Sequence, residues 1–298
     1  MKHALIRKLT QWAVFGLTNL NLPGFIKGTI YKGPLKQFCV PGLNCYSCPG
    51  AVGACPLGAL QSVISSYRYS FSFYIVGLLF AFGVIFGRFI CGFLCPFGLI
   101  QELIHRIPTR KIKLHRAFTY LKYAVLAVFV VVLPLLWTNA IGMGKPTFCQ
   151  YICPAGTLTG GIPLLLTNPP LRDAIGWLFS LKSAILVVTI AASVLIYRFF
   201  CRMLCPLGAI YSFFNRISLY QLQVDSDRCT RCGVCAAVCK MGVDPAVRPN
   251  AFECVRCGDC VAACPAKALR AGFGTGRSKK SAAETRSCSH CARCHKPG

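Results

Sequence analysis

The sequence contains few acidic residues. Only 8 of its 298 residues are Asp or Glu, against 33 Lys and Arg, which gives a net charge of +25. Its glutamates are Glu102, Glu253 and Glu284, and none lies within a long apolar segment. A carboxylate pair of the kind that performs acid–base catalysis is therefore unsupported in the apolar part of the chain.

Histidine is also scarce. The five histidines are His3, His105, His115, His290 and His295, and all lie outside the long apolar segments. A haem b held between two histidines inside a membrane needs histidines at that depth. The sequence therefore gives no support for one.

Charged residues of both signs are the third group that is scarce. Charged residues make up 14% of the chain, well below the roughly 25% of an ordinary soluble domain. The basic residues bracket apolar segments and fill the C-terminal third, whereas a nucleic-acid-binding protein would show a basic groove or helix face. We predict no nucleic-acid partner and attribute the charge to membrane topology and to acidic partners.

Hydrophobic residues, at 55%, are abundant and form long runs. The runs Tyr69–Gly87 and Tyr123–Gly144 are free of charge, and a third follows Asp173 as far as Tyr197. Its one internal charge, Lys182, can extend outward to the membrane surface. A weaker run covers Leu9–Ile26. About 20 helical residues cross a bilayer, so we predict a mainly α membrane protein with about four transmembrane helices.

The basic residues set the orientation of these helices. The loop after the first charge-free run is rich in Lys and Arg, as are the N-terminus and the C-terminal third. Lys and Arg accumulate on the cytoplasmic side of membrane proteins. We therefore predict a multi-pass protein of the cell membrane with both termini in the cytoplasm.

An internal repeat runs through the apolar part. The string Arg88-Phe89-Ile90-Cys91-x2-Leu94-Cys95-Pro96-x-Gly98 recurs as Arg198-Phe199-Phe200-Cys201-x2-Leu204-Cys205-Pro206-x-Gly208. Shorter versions are Cys55-Pro56-x-Gly58 and Cys149-x3-Cys153-Pro154-x-Gly156. Repeats in membrane proteins often place a site where the copies meet. Each predicted helix is thus followed by its own Cys-Pro-x-Gly element.

The C-terminal third holds the most specific motif among the 21 cysteines. Two runs of the form Cys-x2-Cys-x2-Cys-x3-Cys follow each other, as in two-cluster bacterial ferredoxins. In that pattern the fourth cysteine of each run binds the other cluster. Neither zinc sites nor disulfides would need this spacing. Lys240 stands after the first run, where proline is usual, and this difference removes no ligand. We predict one [4Fe-4S] cluster on Cys229, Cys232, Cys235 and Cys264, and another on Cys254, Cys257, Cys260 and Cys239.

The repeated pairs predict a third cluster at the inner membrane face. An x3 spacing would bring two sulfurs to one side of a helix, and two such pairs supply four thiolates. The alternative is a set of buried apolar cysteines. The predicted ligands are Cys91, Cys95, Cys201 and Cys205.

Six cysteines are predicted on the outer face: Cys39, Cys45, Cys48, Cys55, Cys149 and Cys153. By analogy with the inner pairs, Cys55, Cys149 and Cys153 would meet either Cys45 or Cys48 around a fourth cluster. The remaining two could form a disulfide, and an arrangement with disulfides only is the alternative in an oxidising compartment.

The C-terminal tail carries a further group of possible metal ligands, Cys288, Cys291, Cys294 and His295. The string Cys291-x2-Cys294-His295 matches a haem c attachment site, but the predicted topology places it in the cytoplasm. Zinc or a labile cluster are the alternatives. We expect a metal site of undetermined type here.

These motifs resemble the membrane-bound polyferredoxin family, which includes the quinol-dehydrogenase membrane component of periplasmic nitrate reductase. The resemblance covers about residues 70–270 and implies twelve ligands, namely the four inner cysteines and the eight of the ferredoxin motifs. The additional cysteines of the segment Phe38–Pro49 depart from the family pattern. They point to a more direct route across the membrane than quinol oxidation.

The sequence therefore predicts a membrane domain over 1–222, an α+β ferredoxin domain over 223–271, and a flexible basic tail over 272–298. The predicted function is electron transfer between a cytoplasmic redox partner, either a flavoprotein or a ferredoxin-like protein, and the membrane or its far side. A quinone is a further candidate partner, and lipid surrounds the helices. The chain would act as a component of an oxidoreductase system. The alternative is an iron–sulfur sensor or assembly factor.

Overall fold

The structure is a computed structural model that describes residues 2–66, 72–112, 114–138, 144–173 and 175–274. They form a mainly helical chain that ends in a small two-stranded sheet. The helical segments are Lys2–Thr18, Leu22–Lys27, Pro34–Gln37, Pro56–Ser65, Phe73–Phe86, Phe89–Phe93, Pro96–Ile104, Arg116–Leu136, Phe148–Ile152, Pro154–Gly156, Thr157–Gly161, Ile162–Thr167, Pro170–Asp173, Trp177–Leu195, Phe199–Met203, Pro206–Phe214, Val234–Ala237 and Asp259–Ala263.

Two of the described helices are long and apolar enough to cross a membrane. Arg116–Leu136 and Trp177–Leu195 have 21 and 19 residues, and each has a mean hydropathy of 2.1. Only 17% of the apolar window of Trp177–Leu195 is buried by the rest of the chain. Its surface is therefore available to an apolar surrounding.

The prediction of about four spans stays a prediction. The helix Phe73–Phe86 is apolar but shorter than the other two, and the Leu9–Ile26 run is divided between Lys2–Thr18 and Leu22–Lys27. Residues 69–71 and 139–143, which belong to two predicted spans, lie outside the described residues.

The repeat takes the same form in both copies. An apolar helix is followed by a short helix with the first cysteine and then by a helix that begins at proline. Cys91 lies within Phe89–Phe93, whereas Cys95 has an extended backbone (ψ 112°) just before Pro96–Ile104. The prediction that the x3 spacing places both sulfurs on one helical face is therefore wrong. Proline fits the first helical turn because that position needs no amide donor.

The repeat copies pack against one another. Trp177–Leu195 contacts Pro96–Ile104 of the first copy, and Pro206–Phe214 contacts Phe73–Phe86. Cys91, Cys95 and Cys205 belong to one buried core, and Cys201 and the prolines Pro96 and Pro206 are buried as well. The elements that carry the cysteines are thereby held together at the centre of the molecule.

The cysteine-rich segment near the C-terminus is closed by two antiparallel strands. Tyr220–Val224 pairs with Leu269–Phe273, so that Tyr220 lies opposite Phe273. Gly272 and Phe273, which the sequence assigned to the tail, are thus part of a strand. Rings of this sheet contact the preceding helices: the centroids of Tyr220 and of Phe89, in the helix Phe89–Phe93, are 4.8 Å apart.

Candidate functional site

The structure brings the two repeated cysteine pairs together. Cys91, Cys95, Cys201 and Cys205 are each less than 10% exposed. Burial raises the pKa of the Cys205 thiol well above its ordinary value, and the nearby Cys201, Cys91 and Cys95 raise it further. Four thiols so close in an apolar core need a cation to hold them as thiolates. We call these four residues the inner set.

A second set forms from the other cysteine elements. Cys149 lies within electrostatic reach of Cys153, Cys55 and Cys45, and Cys45 in turn influences Cys153. These four residues are the outer set. The sequence left open whether Cys45 or Cys48 completes it, and the structure brings in Cys45. The Cys48 thiol instead donates to Asn19 Oδ1, with sulfur and oxygen 3.7 Å apart.

All 18 cysteines in the described part of the chain are free thiols, including Cys39 and Cys48. The disulfide that the sequence allowed between these two is therefore not formed in the described structure. The tail ligands Cys288, Cys291, Cys294 and His295 lie outside the described residues.

The ferredoxin segment contains two further sets. Cys229, Cys232, Cys235 and Cys264 line one small cavity. Cys260 lies within electrostatic reach of Cys254, Cys257 and Cys239. In each case the fourth cysteine comes from the other motif, which is the exchange expected of a two-cluster ferredoxin.

No three Cys, His, Asp or Glu side chains between residues 2 and 274, gaps aside, converge on a position for one metal ion. A [4Fe-4S] cluster needs its ligands further apart than a single metal ion does, because each of its four irons binds a different thiolate. The four all-cysteine sets supply that number of ligands. The chemistry of the donors therefore fits [4Fe-4S] clusters.

Basic side chains surround the inner set. Arg88 and Arg198, which are equivalent in the repeat, are fully buried. Each crosses to the other copy: Arg88 donates to the carbonyl of Cys201 at 3.5 Å, and Arg198 donates through Nη1 to that of Cys91 at 2.5 Å. The Arg88 Nε atom has no partner. A cluster bound by four thiolates is an anion, and these buried cations fit it.

Two glutamates, which the sequence did not assign to any site, hold these arginines in place. Glu102 pairs with Arg198, Arg7 and Lys8. Burial by itself would raise the pKa of Glu102, but the charges of Arg198 and Arg7 outweigh burial and hold it well below its ordinary value. No local signal in the sequence points to this role, because Arg7 and Arg198 are 95 and 96 residues from Glu102 along the chain.

Glu253, in the ferredoxin segment, holds Arg88 in place in the same way. Its carboxylate pairs with Arg88, at 3.0 Å, and with Lys122. Burial opposes ionisation, yet Arg88 and Lys122 lower the pKa of Glu253 overall. The ferredoxin segment is thereby fixed to the helical part of the chain beside the inner set.

The inner and outer sets lie close to each other. The backbone N–H of Leu43 interacts with the Cys95 sulfur, and Cys45 of the outer set is two residues further along. A Cβ atom on Gly42 would stand 2.8 Å from the Cys95 Cα, so the segment is pressed against the inner set. Tyr211 is fully buried within reach of Cys91, Cys95 and Cys55.

Two known families match parts of the chain. A family described as "4Fe-4S binding domain" matches residues 69–115, 123–166 and 177–220, and one described as "4Fe-4S dicluster domain" matches 221–265. The fold and the cysteine sets define an iron–sulfur electron-transfer protein. The chain belongs to a polyferredoxin-like family of 4Fe-4S binding proteins, as its motifs indicated.

Relatives among curated proteins cover part of the chain. It is 31% identical over 170 residues to an uncharacterized protein of Methanocaldococcus jannaschii, which is 54% of this chain and 61% of that protein. It is 29% identical over 212 residues to Protein NirI of Paracoccus denitrificans, and the matched part covers 65% of this chain and 28% of that protein. It is 24% identical over 172 residues to the methylamine utilization ferredoxin-type protein MauN of the same organism, and the matched part covers 55% of this chain and 52% of that protein.

The chain thus matches less than two thirds of the length of these relatives. No solved structure matches the chain.

Proposed function

We propose that this protein relays electrons through four [4Fe-4S] clusters between a cytoplasmic redox partner and the far side of a membrane. Two clusters lie in the ferredoxin domain, one on the inner set and one on the outer set. The partner is a flavoprotein or a ferredoxin-like protein, and a quinone or an outer acceptor takes or gives the electrons at the other end. The division into a membrane domain, a ferredoxin domain and a basic tail belongs to this proposal, as do the multi-pass topology and the lipid surroundings. The ferredoxin domain is taken as 220–273 in place of the expected 223–271, because its two paired strands reach from Tyr220 to Phe273.

The observation that carries the proposal is the short connection between the inner and outer sets. Membrane faces are separated by about 30 Å of hydrocarbon, which two clusters at opposite surfaces could not bridge without another carrier. Here Gly42 lies against the backbone of Cys95, and Cys45 of the outer set is three residues further along. The two clusters would therefore lie near each other inside the protein.

A similar contact connects the ferredoxin segment to the inner set. Gly92 follows Cys91, and a Cβ atom there would stand 2.5 Å from the carbonyl oxygen of Val255. Val255 directly follows Cys254. The ligand loops of the two sets are thus in contact, and the cysteine sets form one continuous series.

The iron content provides the first test. At four irons per cluster, the anaerobically purified protein is expected to contain about sixteen irons and sixteen acid-labile sulfides per chain, more if the tail also binds iron. Replacing Cys205 with serine is expected to remove about four irons. A wild-type content of about eight, with full ferredoxin signals, would restrict the clusters to the ferredoxin domain.

The connection between the sets has its own test, Gly42→Ala. The added methyl would displace the segment, because it would meet the Leu94 carbonyl at 2.6 Å. We expect unchanged iron content but severalfold slower reduction of the outer cluster, followed by freeze-quench EPR. Gly77→Ala is the control, since nothing lies within 4 Å of a Cβ at that position. Equal rates in both variants would contradict the proposed path.

The topology is tested separately. The distribution of Lys and Arg favours cytoplasmic termini, so reporter fusions at His3 and at Gly298 should both show cytoplasmic activity. An extracytoplasmic C-terminus would refute this orientation. It would also restore haem c as the interpretation of the tail at His295.

A further inference from the structure

Two buried glutamines occupy equivalent places beside the inner and outer sets. In Cys55-Pro56-x-Gly58-x2-Gln61 and Cys95-Pro96-x-Gly98-x2-Gln101, each glutamine lies in the helix that begins at the proline. Gln61 is 0% exposed and Gln101 is 1% exposed. Neither has a part in the contacts that connect the sets.

Each glutamine makes the same pair of hydrogen bonds with the other half of its set. Gln61 Oε1 accepts from the Phe148 N–H at 3.1 Å, and its Nε2 donates to the Cys149 sulfur at 3.3 Å. Gln101 Oε1 accepts from the Phe200 N–H at 3.0 Å, and its Nε2 donates to the Cys201 sulfur at 3.0 Å. Both sets therefore contain one amide that faces a ligand sulfur.

The backbone fixes which end of each amide faces the sulfur. A peptide N–H can only donate, so the atom that it meets must be the amide oxygen. The NH2 group is then left on the side of the sulfur. The hydrogen bonds alone therefore determine the orientation of each amide.

The other two Cys-Pro-x-Gly elements have different residues at this position. Thr159 donates to the carbonyl of Ala155 at 2.8 Å, and Tyr211 donates to that of Pro41 at 3.0 Å. Both of these hydroxyl groups are thus satisfied by carbonyl oxygens. The amide-to-sulfur bond is a feature of the Gln61 and Gln101 positions.

We propose that Gln61 and Gln101 are positioning residues that set the reduction potentials of the outer and inner clusters, respectively. An N–H directed at a ligand sulfur stabilises the reduced cluster more than the oxidised one, since the reduced cluster carries more negative charge. The effect is strong here because both amides are shielded from water. Each glutamine raises the potential of its own cluster. The proposal rests on the proposed function, which places clusters on these sets.

The test is a redox titration of Gln61→Met and Gln101→Met, followed by EPR. Methionine has a similar volume but no N–H to donate. Each variant is expected to lower the potential of one cluster, by about a tenfold change in its reduced-to-oxidised ratio, or 59 mV for one electron. Gln61→Met should shift the outer cluster alone, and Gln101→Met the inner cluster alone. Signals are assigned with Cys153→Ser and Cys205→Ser.

Gln11→Met is the matched control. Gln11 is also buried beside the inner set, but its Nε2 donates to the Gly92 carbonyl, at 2.8 Å. Its loss removes a buried amide without removing a bond to sulfur, so the potentials should stay at the wild-type values. A shift as large as that of Gln101→Met would overturn the proposal, because general loosening of the set would then be the cause.

A second measurement needs no variant that might fail to fold. In wild-type protein with 15N in the glutamine side chains, pulsed EPR of each reduced cluster should detect coupling to an amide nitrogen. Absence of that coupling would overturn the proposal. Full iron content with unchanged potentials in both methionine variants would also overturn it while leaving the proposed function intact. Wild-type iron content of about eight would instead remove the proposed function itself.

Discussion

Replacing Cys153 with serine is expected to remove about four irons per chain and to abolish the EPR signal of the outer cluster. Cys153 is 8% exposed and lies within reach of Cys45 and Cys149. A serine hydroxyl stays protonated where the thiol would bind iron as a thiolate, so three ligands would remain for four irons. Mössbauer counting of clusters before and after the substitution measures the loss. Electron transfer should then end at the inner cluster.

Cys48→Ser is the matched control for this experiment. Cys48 is buried more deeply than Cys153, at 2% exposed, but its thiol donates to Asn19. Serine can make the same bond, so the variant should keep its iron. If Cys153→Ser also kept its iron and lost only a disulfide, the outer set would be structural and the relay would end at the inner face.

The ferredoxin cysteines could be assigned from the sequence because their spacing is local. Three ligands of each set lie within one tight run, and only the exchange of Cys239 and Cys264 needs the fold. The inner set could also be predicted from the sequence, because the residues around its two cysteine pairs match. In both cases a short motif contains most of the geometry.

The remaining features depend on contacts between distant segments. Whether Cys45 or Cys48 joins the outer set is decided by the loop that contacts Cys95, and no local pattern separates the two. The break between Cys91 and Cys95 follows from the extended backbone before Pro96. The x3 spacing fits a continuous helix as well as it fits this broken one. From the spacing alone, we therefore expected both sulfurs on one helical face, which is wrong.

The ion pairs of Glu102 likewise could not be predicted from the sequence. Its partners Arg7 and Arg198 are 95 and 96 residues away, so its role could not be inferred from its neighbours. In the structure it is the acidic centre of a buried network that also receives the Tyr197 hydroxyl, at 2.7 Å. Arg198 adopts a left-handed backbone conformation (φ 51°), which costs about 1–2 kcal/mol in a residue with a side chain. The network holds Arg198 in that conformation.

Glu102→Gln is therefore expected to lower the free energy of unfolding by about 3–5 kcal/mol, because it leaves buried positive charges without their counter-charge. The measurement is a urea titration of the anaerobic protein in detergent, followed by tryptophan fluorescence. The folded pKa of Glu102 lies below the unfolded value of about 4.3, so the stabilisation is complete at neutral pH and is lost only as the pH falls below that value.

The exposed pair Arg228–Asp225 provides the comparison for Glu102→Gln. Its side chains are 59% and 42% exposed and lie 3.4 Å apart, so Asp225→Asn should cost less than about 1 kcal/mol. Asparagine also keeps the oxygen that accepts from the Asp227 and Arg228 N–H groups. The two substitutions make the same chemical change, a carboxylate to an amide, and differ in burial. If both cost the same, the clusters and the apolar core would hold Arg7 and Arg198 in place without Glu102, and the network would not be needed for the inner set to form.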